Sequence, residues 1–535
     1  MMTMKELEID IETKSDRDIT KCGVYAYADS PYFDILLFSY SIDSGEVQSV
    51  DVANNEKIPD DILKALTDEA IIKRAFNVNF ERVCLSRYLA KNYPSFFQSY
   101  SIKEDTVGNH LSPVNWHCTM IHCRTLGLPS SLAEVGKVLN LEQQKMAEGK
   151  ALIKYFCVPY DTIDGVPQFH SPADAPEKWK IFKEYNKRDV EAELAIDCKL
   201  SKYPVPDFIW EEFYLDQEIN DRGIAVDMEL VETEARETVK HGYYDKVEMF
   251  YDDVPDTLSQ LIRTAFVPRK GYKFIVADFS SIEMRCSAYY AGEQWVLDTF
   301  ARGGDIYCET ASQMFGVPVE KHGVNSHLRQ RGKQAALSCS YGGSVGALKA
   351  MGAIENGMKE EELKPMVDKW RAANPNIVHF WYAVDDAAKQ AVKEKTKTET
   401  HGISFIFKSN MLFIELPSGR RLAYVKPKIG ENQFGGESIT YMGIGASKKW
   451  ERLETFGGKL VENIIQAIAR DILCYAMRTL SHCFIVAHVH DELIIECDKR
   501  MSLKAVCEQM GRTPPWAKGL LLRADGYECE FYKKD

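Results

Sequence analysis

Two strand-like runs in this chain each lead onto an aspartate, and a fold that buries the runs must find company for both acids. Phe274-Ile275-Val276-Ala277 opens into Asp278-Phe279-Ser280-Ser281-Ile282-Glu283-Met284-Arg285. Ile485-Val486-Ala487 and Leu493-Ile494-Ile495 flank His488-Val489-His490-Asp491-Glu492. A carboxylate at the edge of a buried strand is costly to desolvate unless a cation or a basic partner compensates it. Two of them brought together repel, and bound Mg²⁺ relieves the repulsion where the substrate is a phosphate. The plainer alternative for either acid alone is a polar turn at a strand end.

The segment between the two aspartates reads Leu328-Arg329-Gln330-Arg331-Gly332-Lys333-Gln334-Ala335-Ala336-Leu337-Ser338-Cys339-Ser340-Tyr341-Gly342-Gly343. Arg329, Lys333, Leu337 and Tyr341 recur every four residues, which predicts one slowly drifting helical stripe about 18 Å long. Arg329 and Lys333 suit a triphosphate, and Leu337 with Tyr341 suits a sugar and base. An ordinary amphipathic helix ending at Gly342 is the alternative.

Taken in order, Asp-Phe-Ser-Ser-Ile-Glu-Met-Arg, Arg-x₃-Lys-x₇-Tyr-Gly and His-Asp-Glu resemble the motifs of the family A DNA polymerases, the group of bacterial DNA polymerase I, and among them the phage-type members. Arg302-Gly303-Gly304-Asp305-Ile306-Tyr307, Leu416-Pro417-Ser418-Gly419-Arg420, the stretch from Glu462 to Asp471 and Ala524-Asp525-Gly526-Tyr527 add to the likeness, which covers Trp210 to Asp535. The resemblance implies an α/β architecture whose palm has an antiparallel sheet, carrying Asp278 and Asp491 on adjacent strands, and whose fingers are helical. It implies that Asp278, Phe279 and Asp491 hold two Mg²⁺, with Mn²⁺ able to substitute, that one ion activates a primer 3′-hydroxyl and that the other stabilises leaving pyrophosphate. Arg329 and Lys333 would contact the incoming dNTP, and Lys333 would protonate the leaving group. Glu283 resembles the gate that excludes a ribose 2′-hydroxyl, and Tyr341 would pack near the templating base. Leu337 stands where the family usually has Phe or Tyr, which predicts altered sensitivity to sugar analogues. Tyr307 stands where bacterial relatives carry a phosphate-binding His. Gln466 and His490 would lie along the primer terminus, Arg420 with Arg421 would give a DNA-binding surface, and Glu492 would assist without being indispensable.

The N-terminal part carries a second acidic system. Leu7-Glu8-Ile9-Asp10-Ile11-Glu12-Thr13 alternates as a strand with one polar face, so Asp10 and Glu12 project together. Glu81 follows the apolar start of Asn77-Val78-Asn79-Phe80, and Tyr185 and Asp189 are one helical turn apart. Each piece alone more often marks the solvated face of a strand or helix. Together they resemble the DEDD-type 3′–5′ exonucleases, whose RNase H-like domain has a mixed sheet and commonly precedes a family A polymerase. On that resemblance Asp10, Glu12, Glu81, Asp189 and Tyr185 are catalytic, with metal held by Asp10, Glu12 and Asp189 and the phenol orienting an attacking water. The middle acid of the family is usually Asp, and the extra methylene of Glu81 changes ligand reach by roughly 1 Å.

Domain boundaries are expected at 1–203 for the exonuclease, 204–232 for a linker and the remnant of the thumb entry, 233–300 for the first palm segment, 301–373 for the fingers and 374–535 for the second palm segment. The family resemblance leads one to expect a helical thumb after Val226, then Thr-Gly-Arg and Gln-Asn-Leu-Pro signatures, and neither signature is in the sequence. The resemblance therefore implies that a piece on the order of 100 residues is missing, with the join near Val231–Thr233. Its loss removes phosphate contacts that normally grip the duplex.

The net charge of −13 argues against a basic coat and requires local basic surfaces for DNA. The 14 cysteines form no CxxC pair, and the spacing of His117-Cys118 and His122-Cys123 fits no common zinc pattern. No apolar run approaches a transmembrane helix, so the expected setting is the cytoplasm, that of a bacterial host if the chain is phage-encoded. Expected partners are primer–template DNA, dNTPs and other replication proteins, with no membrane. Three functions stay open: polymerase with 3′–5′ proofreading, 3′–5′ exonuclease with a polymerase half disabled by the missing thumb, and a non-catalytic replication module.

Overall fold

The alternation at the N-terminus forms β1 (Glu6–Lys14), whose Leu7, Ile9 and Ile11 are buried on one face while its acids occupy the other. The computed structural model describes residues 4–97, 110–142, 146, 148–229, 263–355, 357–432 and 434–533. β2 (Asp34–Ile42), β3 (Gln48–Val50), β4 (Ile72–Ala75) and β5 (Trp116–Cys118) join β1 in the order β3-β2-β1-β4-β5. β1 runs antiparallel to β2 and parallel to β4, so the sheet is mixed. The helix Pro176–Leu200, opened by a proline in its first turn, lies along β1 and β2 and faces the acids. A small hairpin, β6 (Asp161–Ile163) and β7 (Val166–Gln168), precedes it.

Residues 1–222 form one compact unit and residues 223–535 another. The helix Asp207–Arg222 belongs to the first, although the sequence reads 204–232 as linker and thumb remnant. Its Ile209 and Trp210, with Val205, join the core built on Leu7, Ile9 and Trp116. Arg82, fully buried, donates from both terminal nitrogens to Asp221 at 2.8 Å and to the Leu111 carbonyl, and Tyr25 donates to the same carboxylate. Tertiary pairing outweighs the two prolines that suggest a break.

In the second unit β8 (Ala225–Val226) pairs with β9 (Phe266–Val267). The predicted join near Val231–Thr233 lies outside the described residues. β10 is the apolar run Tyr272–Phe279. Between 301 and 373 the described residues form the helices Ile306–Phe315, Leu328–Cys339, Val345–Ala350 and Glu360–Ala373. A six-stranded antiparallel meander follows that the sequence did not announce: β11 (Lys397–Thr400), β12 (Ile403–Lys408), β13 (Met411–Glu415), β14 (Arg421–Glu431), β15 (Glu437–Ile444) and β16 (Trp450–Thr455). Ser409 and Asn410, both at positive φ, make the tight turn between β12 and β13. β17 (Phe484–Val489), β18 (Glu492–Asp498) and β19 (Ala524–Cys529) complete an antiparallel sheet ordered β17-β18-β10-β19. The helix Gly457–Thr479 packs on the helices Ile282–Ala291 and Pro375–Glu394. The whole is a mixed α/β fold.

Candidate active sites

On the first sheet, Asp10 and Glu12 of β1 meet Asp189 of the helix Pro176–Leu200. Each of the three offers a carboxylate oxygen within 4.8 Å of the others, a donor set that suits a hard cation. Asn186 donates its amide to Asp10 and accepts from Ser39 of β2, which fixes the aspartate against the sheet. Tyr185, one turn before Asp189, is buried, and burial followed by the charges of Glu12, Asp189 and Asp10 holds its phenol well above the usual range. Gly149 lets it lie there: a Cβ at that position would stand 2.1 Å from Tyr185 Cε2. Glu81 opens the helix Val78–Asn92, is buried, and stands outside the triad. Burial and then the charge of Asp10 push its carboxyl well above the usual carboxylate range.

The acidic face continues inward beyond the residues that sequence reasoning picked. Glu8 precedes Asp10 by two on β1 and Glu193 follows Asp189 by four on the helix, so the same periodicities that yield the triad yield both. Glu8 is fully buried, with neither carboxylate oxygen hydrogen-bonded among the described residues, and burial pushes it up to about 7 despite the nearby Arg74. Glu193 accepts from Thr119 at 2.6 Å and is held well above its ordinary value by burial.

In the second unit the register sets Asp278 directly opposite Glu492 of β18 and opposite Asp525 of β19, so three carboxylates share one face across three strands. Asp491 sits in the tight turn between β17 and β18, where His490 takes a positive φ, and its carbonyl accepts from Phe279 N–H at 3.2 Å. Asp491 is thus delivered by a turn rather than by a strand. Partial burial, then Asp491, Glu492 and Asp525, push Asp278 up to about 6. Asp491 and Glu492 are raised as well, chiefly by burial, and Tyr532 donates to Glu492 at 2.7 Å. An aspartate raised by three neighbouring acids suits a cation that binds them together.

Glu283 lies in the first turn of the helix after β10, with Tyr341 donating to it at 2.7 Å. Arg329, Lys333 and Leu337 share the helix Leu328–Cys339, whereas Tyr341 lies beyond its end in the turn closed by Gly342 at positive φ. Gly458 allows the helix Gly457–Thr479 to meet that turn, since a Cβ there would be 2.3 Å from the Tyr341 carbonyl. Arg329 binds Asp305 through two nitrogens at 2.8 and 2.9 Å, and Asp305 caps the helix Ile306–Phe315 by accepting from Tyr307 N–H and Cys308 N–H. Arg329 and Lys333 stand 5.4 and 5.9 Å from the centroid of the Tyr307 ring, so Tyr307 is a platform beneath both cations.

A cavity of about 560 Å³ is lined by Glu283, Tyr307, Leu337, Tyr341, Gln466, His490 and Asp491, with Ser287 and Arg470 besides. Seven predicted site residues thus share one space; Asp278, Arg329, Lys333 and Arg420 are not on its lining. Arg470 went unassigned in the sequence, although it lies one turn after Gln466 on the same helical face. Arg420 is committed elsewhere: it donates to Asp471 at 2.6 Å and to the Ala467 carbonyl at 2.7 Å, tying the turn before β14 to the helix Gly457–Thr479. No helix among the described residues is long and apolar enough to cross a membrane.

Residues 253–513 match the family model described as DNA polymerase family A. The chain is 37% identical to a DNA polymerase of Bacillus phage SP02 over an alignment of 666 residues that takes in 99% of this chain and 100% of that relative. It is 28% identical to DNA polymerase I of Pseudomonas aeruginosa over 255 residues, 46% of this chain but only 23% of that relative. A solved structure, the POL domain of Pol1 from M. smegmatis in complex with DNA primer-template and dNTP, aligns with a TM-score of 0.53 and 16% identity over 98% of this chain and 95% of that one, a likeness of fold.

Proposed function

This chain belongs to DNA polymerase family A, and from that premise we propose that its second unit extends a primer 3′ end with template-directed dNTPs while its first unit removes nucleotides from a 3′ end. The observation that carries the reading is the row of Glu492, Asp278 and Asp525 beside Asp491, next to a cavity large enough for a nucleotide. Asp278, Phe279 and Asp491 would hold Mg²⁺, and the triad Asp10, Glu12 and Asp189 would hold it in the first unit, with Mn²⁺ able to substitute. When bound, the ions supply a lowered pKa at the attacking hydroxyl and neutralisation of the leaving phosphate. Arg329 and Lys333, set over Tyr307, bind the triphosphate, and Lys333 hands a proton to the departing pyrophosphate. Glu283, held by the Tyr341 hydroxyl, fills the space a ribose 2′-hydroxyl would need. Leu337 meets the sugar, Tyr341 the templating base, and Gln466 and His490 the primer terminus. Closure of the helices 301–373 would bring the cations onto the nucleotide.

In the first unit Tyr185 stays protonated and orients the attacking water, and Glu81 serves as the fourth catalytic carboxylate. We also read the chain as lacking the thumb: the alignment with the phage relative needs 666 positions for the 535 residues present here. Binding of primer–template is correspondingly weak and falls steeply with salt. A relative from a Bacillus phage fits action in a bacterial cytoplasm, alongside other replication proteins.

The test is a gel assay of a 5′-labelled primer–template with Mg²⁺ at low salt, with and without dNTPs. Extension that vanishes in Asp278→Ala is the expected result. Shortening alone, lost in Asp10→Ala, would leave the first unit as the sole active one. Neither extension nor shortening would reject both readings.

A further inference from the structure

The first unit carries an aromatic pile outside the acid triad, and we propose that it receives the bases of a single-stranded DNA 3′ end on the way to Asp10, Glu12 and Asp189. This rests on reading that triad as a nuclease. The pile has four layers. Lys178 Nζ stands 3.8 Å from the centroid of the Tyr155 ring, and His170 stacks on Tyr155 at 3.9 Å with 4° between the planes. Tyr160 then stacks on His170 at 4.3 Å and 21°. Tyr160 ends the pile: it is 59% exposed, and among the described residues no further ring stacks on it.

Apolar surface continues from there. Val158, Ile163 and Val166, at the root and along the hairpin of β6 and β7, are 47%, 54% and 46% exposed. Large apolar side chains gathered on one hairpin, with little packing within the unit, mark a contact surface. The cations beside the ring pile decide its occupant. Lys178 lies at the foot of the pile, and Lys14, which ends the acid-bearing strand, stands 5.4 Å from the ring of Phe169, next to His170. Flat ring faces flanked by lysines match a strand that presents both bases and phosphates, whereas an apolar protein surface has no use for the lysines.

Position supports the same occupant. Lys178 precedes Tyr185 by seven residues, two helical turns, which puts both on one face of the helix Pro176–Leu200 about 10 Å apart along its axis. The helix Gly149–Phe156 links the two places: Tyr155 builds the pile, while Gly149 and Phe156 pack toward Tyr185 and its neighbour Phe182.

The experiment compares two substrates of the full chain: single-stranded oligothymidylate shortened from its 3′ end, and the p-nitrophenyl ester of thymidine 5′-phosphate, which has one base and no strand. Shortening reports the first unit alone, because DNA held elsewhere is not cut. Tyr160→Ala is expected to raise the oligonucleotide KM about tenfold or more, leave kcat and ester hydrolysis unchanged, and be restored by Tyr160→Trp. An unchanged KM overturns the proposal and leaves the hairpin as a protein-docking face. Loss of ester hydrolysis in Tyr160→Ala also overturns it, since the hairpin would then serve the local fold. A wild-type chain that hydrolyses neither substrate rejects the nuclease reading itself, a different failure from an unchanged KM.

Discussion

The carboxylates of the first unit run inward from its triad, whereas those of the second stop at the end of a strand. Behind Asp10 and Asp189 stand Glu8 and Glu193, both buried and both raised by that burial, so they keep protons where surface acids would be ionised. Around Asp278 the acids lie side by side on three strands at an exposed edge, and the aspartate is pushed only to about 6. The difference is one of access. A carboxylate that water and cations reach is relieved when a cation binds, while one sealed behind it is relieved by a proton. The first site is therefore stiff and sensitive to packing, and the second depends on what binds it.

The strongest way to break this comparison is to remove the acids. Asp278→Ala should lower dNTP incorporation on the order of a thousandfold or more with shortening intact, and Asp10→Ala with Glu12→Ala should do the reverse. A gel that shows both activities falling together in either variant would mean the sites are not separate. Arg82→Ala strands Asp221 in the core and should destabilise residues 1–222 by about 3–5 kcal/mol. Hydrogen exchange should then speed up across β1 to β5 and not across β10.

Acidity gives a third test. Burial pushes the Glu8 carboxyl up to about 7 in the folded chain, against an ordinary 4.5. As pH rises the unfolded chain releases that proton first, so the part of the first unit's stability that Glu8 supplies, about 3 kcal/mol, should be lost through this window. Denaturant unfolding in EDTA at about pH 5 and about pH 8 reads the fall, and Glu8→Gln should make it smaller by that share while Glu81 and Glu193 keep theirs. The smallest effect sharpens the role of packing. Gly149→Ala drives a methyl into the Tyr185 ring and should slow shortening about a hundredfold while extension is unchanged.

Much of the triad was legible because two periodicities are local. Period two sets Asp10 and Glu12 on one side of β1, and a spacing of four sets Tyr185 beside Asp189. The same rules reach Glu8 and Glu193, yet nothing in the sequence tells a buried acid from an exposed one. Asn186 was invisible for another reason: it matters only because Ser39 and Asp10 flank it, and each lies more than a hundred residues away. Arg420 has a partner that its charge alone does not reveal: Asp471, fifty-one residues on, accepts from it. Tyr307 became a platform only when its helix met the helix of Arg329 and Lys333.

The sequence by itself determined which strands and helices carry the acids and cations, and, through ordered motifs, the family to which they belong. Tertiary structure decided which of those charges face one another, which are sealed from water and which are committed to holding the fold. Local backbone geometry is written within a few residues, whereas desolvation and pairing depend on neighbours that only long-range packing brings together.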